Sequence, residues 1–198
     1  MSEIAVVDYR AGNLTSVVKA LTHLGAELEV TSDPDAVSRA AKVVLPGVGH
    51  FAATRFLQER GLTEAIRSRA EQGAPLLGIC VGLQWLFEGS TEARDVSGAG
   101  FLSGRCDRFV TDDKVPHVGW NSLAVRPGSR LMAAVPDGSY VYYTHSYRAS
   151  PGKDTVAVTD YGGPFTAAAE LDNIMGVQFH PEKSGAVGLT ILKNFLDL

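Results

Sequence analysis

The stretch PLLGICVGLQWLF, residues 75–87, decides the fold. Pro75 to Ile79 is an apolar run of strand length, and Leu83, Leu86 and Phe87 recur at helical spacing. Between them stands only Gly78-x-Cys80-x-Gly82. A strand that passes directly into a helix needs a sharp turn, and glycines two residues either side of the turning residue keep the backbones from clashing. The turning residue is then held in a strained conformation at the carboxyl end of its strand. In open α/β sheets that edge is where ligands bind. A free cysteine is most often a small buried hydrophobe. At this junction Cys80 has a second reading, as a nucleophile whose thiolate is favoured by the start of the following helix.

Outward from this stretch the same alternation recurs. Ile4 to Val7 is a β-branched run, a loop with Asp8, Gly12 and Asn13 follows, and Leu14, Val17, Val18 and Leu21 keep helical spacing. Leu28 to Val30 reads as a second strand. Ser32 or Asp33 then caps a helix with Pro34 in its first position. Val43 to Leu45 is a third strand, stopped by Pro46-Gly47, and Phe51 to Gln72 is helical with a break near Gly61. Short, wholly apolar strands between helices predict a parallel sheet covered on both faces. From Phe101 to Phe179 the strands alternate more and are separated by turn clusters, which predicts added antiparallel or mixed sheet. A last helix spans about Val187 to Leu196. The whole, residues 1–198, reads as one domain.

Bulk properties narrow the function. The formal charge is −4 and no basic run is present, so the phosphate-neutralising source of nucleic-acid binding is missing. No segment has the length or pattern of a membrane span or a signal peptide. Cys80 and Cys106 lack metal-site spacing, and a reduced, cytoplasmic setting is expected. No metal or cofactor is expected.

A nucleophilic cysteine needs a base. Of the five histidines, His180 stands out in GVQFHPEKS, residues 176–184. Gly176 to Phe179 reads as a strand ended by Pro181, so His180 is fixed at a strand end with Glu182 two residues on. A carboxylate beside an imidazole sets its tautomer and stabilises its charge. A third element, LPGVGHF (45–51), is a strand entering a Pro-Gly-x-Gly turn whose free N–H groups could hold an oxyanion. Taken singly, Glu182 is a loop charge and the turn an ordinary glycine turn.

Together, Pro46-Gly47-Val48-Gly49, Gly78-Ile79-Cys80-Val81-Gly82 and His180-Pro181-Glu182, in this order, resemble the class I glutamine amidotransferases. With DYRAGNL (8–14), VPHVGWN (115–121), YYTHSY (142–147) and FHPEKS (179–184), the chain more closely resembles the glutaminase subunits of imidazole glycerol phosphate synthases. That resemblance implies a flavodoxin-like α/β fold with a mostly parallel sheet. It implies glutamine hydrolysis by Cys80, His180 and Glu182, with Gly47, Val48, Gly49 and Val81 around the oxyanion. Gln84, His145, Ser146 and Tyr147 would seat glutamine. The implied partner is a separate (β/α)8-barrel cyclase that receives ammonia in histidine biosynthesis. Asn13, His117, Trp120, Asn121 and Lys183 are the interface candidates, with Trp120 equally readable as core. The competing readings are another class I amidotransferase, a binding module with a vestigial triad, and a cofactor binder using Gly12-Asn13. The last lacks a G-x-G-x-x-G after the first strand.

Overall fold

The computed structural model describes residues 4–10, 12 and 14–198. Asn13, an interface candidate, lies outside the described residues. The first half alternates as the apolar spacing predicts. β1 (Ile4–Val7), α1 (Leu14–His23), β2 (Leu28–Thr31), α2 (Pro34–Arg39) and β3 (Lys42–Leu45) follow one another. A 3-10 turn (Phe51–Thr54) then runs into α3 (Arg55–Glu59), with α4 (Leu62–Glu71) after it. β4 (Leu76–Ile79) and α5 (Val81–Leu86) complete the half. Asp33 rather than Ser32 caps α2: its carboxylate accepts the Asp35 N–H at 3.0 Å, with Pro34 in the first turn. The break between α3 and α4 falls at Gly61, whose φ of 73° is left-handed.

The second half supplies β5 (Cys106–Arg108), β6 (His117–Ser122), β7 (Ala124–Val125), β8 (Tyr140–His145) and β9 (Tyr147–Ala149). β10 (Thr155–Asp160), β11 (Pro164–Leu171), β12 (Ile174–Val177) and α6 (Gly185–Leu196) follow. The main sheet runs β2-β1-β3-β4-β12-β11-β10-β7. Its first five strands are parallel, and β11, β10 and β7 extend it antiparallel. Two hairpin-like ribbons, β5–β9 and β6–β8, stand apart from it.

One boundary matters for the site. β12 ends at Val177, which leaves Gln178 and Phe179 between the strand and His180. β12 is parallel to β4, so the half read as antiparallel or mixed sheet also supplies a core parallel strand. Every residue of β1, β4 and β12 is buried, as expected for central strands covered on both faces. The helix after Cys80 is six residues long and is capped by Phe87.

Candidate active site

Three adjacent parallel strands, β3, β4 and β12, end at one edge of the sheet. The turn 46–49 follows β3, Cys80 follows β4, and His180 follows β12. Their register is close: Leu45 lies opposite Gly78, and Gly78 opposite Gly176. The sheet therefore gathers in space what the sequence separates.

Cys80 takes φ 53° and ψ −105°, a region that L residues with a side chain avoid. Its N–H is tied to the Val177 carbonyl at 2.8 Å, and its carbonyl accepts the Gln84 N–H at 3.1 Å. The flanking glycines are required by close approach. A Cβ on Gly78 would lie 2.6 Å from the Gly82 carbonyl, and one on Gly82 would lie 1.9 Å from the Leu45 oxygen. The turn after β3 is equally tight, since a Cβ on Gly47 would meet the Tyr9 hydroxyl at 2.1 Å. Val48 turns its carbonyl to the Gly12 N–H at 3.3 Å.

Cys80 is 2% exposed and lines a cavity of about 220 Å³. Val48, Gly49, Val81, Gln84, His145, Ser146 and Tyr147 line it as well. Gly47 does not; it packs behind, against Tyr9 and Val81. Among the described lining residues the one carboxylate is Glu92. Its Oε2 accepts the Phe51 N–H at 2.8 Å. Glu92 sits in a loop with no sequence pattern to mark it, and the sequence reading missed it.

His180 is fully buried. Its Nδ1 donates to Glu182 Oε1 at 3.0 Å, and the Glu182 side chain is equally covered. Burial alone would lower the imidazole pKa, but the Cys80 thiol on one side and Glu182 on the other push it up to about 9. The thiol acts without a well-aligned bond, because His180 Nε2 makes no hydrogen bond among the described residues. Such contacts often tighten only when substrate binds. The backbone of His180 is anchored by its N–H to the Tyr142 carbonyl at 2.9 Å, and Ser184 Oγ donates to its carbonyl at 2.6 Å.

His145 belongs to a second network. Its Nδ1 lies 2.9 Å from the Tyr147 carbonyl, which can only accept, so Nδ1 carries the proton. Nε2 is then the acceptor for His117 Nδ1–H at 3.1 Å. Burial lowers both rings, His145 to about 3 and His117 to about 4, so both are neutral at ordinary pH. His117, expected at the interface, is buried in the described chain. At 3% exposure it stacks between Tyr161 and Tyr143 beneath the surface. Asn121 is half-buried and commits its amide to the Asp160 carbonyl at 2.9 Å. Trp120 is 55% exposed, which settles its reading as surface rather than core. It stands edge-on to Tyr142, and the Lys183 ammonium lies 5.8 Å from the Tyr142 ring centre. Exposed Val118 and Tyr140 extend this apolar patch on the β6–β8 ribbon.

Gln178 was also missed, although a polar residue inside the apolar run GVQF was a signal. Its side chain lies against the Cys80 sulfur at 3.6 Å.

The family model for glutamine amidotransferase class-I matches residues 5–198. The chain is 48% identical to the imidazole glycerol phosphate synthase subunit HisH of Moorella thermoacetica, over all of this chain and 96% of that one. It is 46% identical to the HisH subunit of Methanothermobacter thermautotrophicus, over 98% of each. Among solved structures, a glutamine amidotransferase matches with a TM-score of 0.78 at 18% identity, covering 99% of this chain and 98% of that one. PurLQS from Thermotoga maritima matches at 0.77 and 21%, covering 100% and 99%. These two share the fold. With the family model spanning almost the whole chain, the protein belongs to the class-I glutamine amidotransferases.

Proposed function

We propose that this chain is the glutaminase subunit of an imidazole glycerol phosphate synthase, hydrolysing glutamine to glutamate and handing ammonia to a partner subunit in histidine biosynthesis. The observation that carries the reading is a strained cysteine and a buried His–Glu pair at one cavity, in a chain nearly half identical to HisH subunits. Cys80 is the nucleophile. As a thiolate it attacks the side-chain amide carbon of glutamine, while His180 delivers a proton to the departing ammonia. Glu182 orients His180 and balances its charge. Water, deprotonated by His180, then cleaves the thioester to glutamate and returns the thiolate. N–H groups of Val81 and of the turn 47–49 hold the oxyanion. Gln84, His145, Ser146 and Tyr147 form the glutamine seat, and Glu92 supplies the negative charge that an α-ammonium needs.

The partner is a (β/α)8-barrel cyclase, docked on the patch of Trp120, Tyr142 and Lys183, with Asn13 and Asn121 as further contacts. Direct transfer matters because ammonia lost to water is protonated and no longer nucleophilic. A cytoplasmic location fits this role; among the described residues no helix is long and apolar enough to cross a membrane.

Docking also gates turnover through the glycine turn. The deciding experiment measures kcat and KM for glutamine in the chain alone, with cyclase, and with cyclase plus its nucleotide ligand. Activation appears in kcat, since losing one oxyanion donor costs roughly a hundred- to a thousandfold in rate. Val48→Pro, which cannot supply an N–H, stays slow in the full complex. A fully active isolated chain, or activation confined to KM, overturns the gating. Glutamine-dependent synthesis that survives Cys80→Ala overturns the nucleophile.

A further inference from the structure

Gln178 has no part in the reaction as derived so far, yet its side chain touches the reacting sulfur. It is 1% exposed, and a buried amide is costly unless its polar atoms are bonded. All of them face partners, and the partners fix which way the amide points. The Tyr147 carbonyl can only accept, so the Gln84 atom 3.0 Å from it is Nε2. The same Nε2 lies 3.3 Å from the Gln178 side chain, which must therefore present Oε1 there. That leaves Gln178 Nε2 as the atom 3.6 Å from Cys80 Sγ, with its N–H directed at the sulfur. The far end of the chain is pinned as well, because the Tyr147 carbonyl also receives His145 Nδ1–H. The main-chain N–H of Gln178 is held by the Ala167 carbonyl at 2.8 Å. The donor at the sulfur is therefore imposed by four neighbours and is not a free rotamer.

We propose that Gln178 is a catalytic residue that holds the Cys80 sulfur as a thiolate by donating its side-chain N–H to it. The proposal rests on Cys80 being the nucleophile. A charged sulfur accepts such a bond far better than a thiol or a thioester does. The bond therefore helps twice. It raises the thiolate population before attack, and it stabilises the sulfur when the C–S bond of the thioester breaks and the electron pair returns to it. The other groups acting on Cys80 are His180, with Glu182 behind it, and the buried Tyr9 hydroxyl. Cys106 acts weakly, and Glu92 lines the same cavity. Among the groups in contact with the sulfur, Gln178 is a neutral donor, so its effect does not vanish with pH.

The test reads the sulfur directly. In a Cys106→Ala background Cys80 is the sole thiol. Its alkylation by iodoacetamide is followed across pH in the isolated chain, without glutamine or partner. Gln178→Met keeps the length and removes the donor. The alkylation midpoint moves up by about one pH unit, a tenfold loss of thiolate below it. Gln178→Leu likewise lacks the donor and adds no charge, so it gives the same upward shift and decides the matter if the Met variant fails to fold. With cyclase present, kcat for glutamine falls about tenfold or more while KM stays within about twofold. A midpoint that does not move in a folded variant, whatever happens to kcat, overturns the proposal and leaves Gln178 a packing residue. Failure of the nucleophile assignment is seen separately, as glutamine hydrolysis that persists in Cys80→Ala.

Discussion

The backbone of Cys80 offers a test that needs no enzyme assay. With φ 53° and ψ −105°, any residue bearing a Cβ is strained there, at about 1–3 kcal/mol. Cys80→Ala removes the thiol and keeps the strain. Cys80→Gly removes both. Glycine loses more chain entropy on folding, which offsets roughly 0.4–1 kcal/mol of the gain. The net expectation is that the glycine variant is the more stable by about 1 kcal/mol, the reverse of the usual order. For a chain of this length that is about 2–4 °C in Tm. Calorimetry on the two variants under identical conditions reads the difference, and both should be inactive with glutamine. An alanine variant that melts at or above the glycine variant refutes the strained elbow.

His180→Ala should remove most glutaminase activity, and Glu182→Gln less, because orientation is secondary to proton transfer; equal and trivial losses in a steady-state assay would remove the triad. His145 and His117 are held far below their ordinary pKa, so the unfolded chain binds their protons first as pH falls. Their contribution to stability is present above about pH 6.5 and is lost toward pH 3 to 4, with His145 alone costing about 2 kcal/mol at pH 5. His180 is raised to about 9 and has the opposite sign, its contribution being full below pH 6.5 and lost as pH rises through 9. Denaturant midpoints across pH check both limbs, and stability that rises between pH 6.5 and 5 contradicts the first. Tyr9→Phe deletes a buried hydroxyl that has no hydrogen-bond partner among the described residues, so it should stabilise the fold by about 1 kcal/mol and raise the denaturant midpoint; a lowered midpoint would mean that the hydroxyl is bonded in solution.

What the sequence revealed is what local chemistry dictates. Wholly apolar runs marked β1, β3 and β4, and Pro34 beside Asp33 marked α2. The elbow could be read because two glycines around a cysteine have few other uses at a strand–helix junction. The sequence did not reveal what depends on distant neighbours. Gly176 to Phe179 read as a strand, but nothing local says that β12 lies parallel to β4. His117 alternates on its strand like a surface residue, and only the rings of Tyr143 and Tyr161, brought in from β8 and the end of β10, bury it. Glu92 acquires its place because the loop carrying it folds back onto the Phe51 N–H. Gln178 is a polar residue in an apolar run, but only the fold of the strand end places it at the sulfur.

The pairing of β4 with β12 also orders events as the chain is made. Cys80 leaves the ribosome with β3 able to pair on one side of its strand, while the strand that brings Gln178 and His180 follows about a hundred residues later. At about 5–20 residues per second that interval lasts roughly 5–20 s. Throughout it β4 has an open edge, the kind of site at which chains mispair. Until β12 closes the sheet, Cys80 stands apart from the two side chains that later flank it. A chain cut short before β12 keeps that open edge of β4 and is an aggregation hazard.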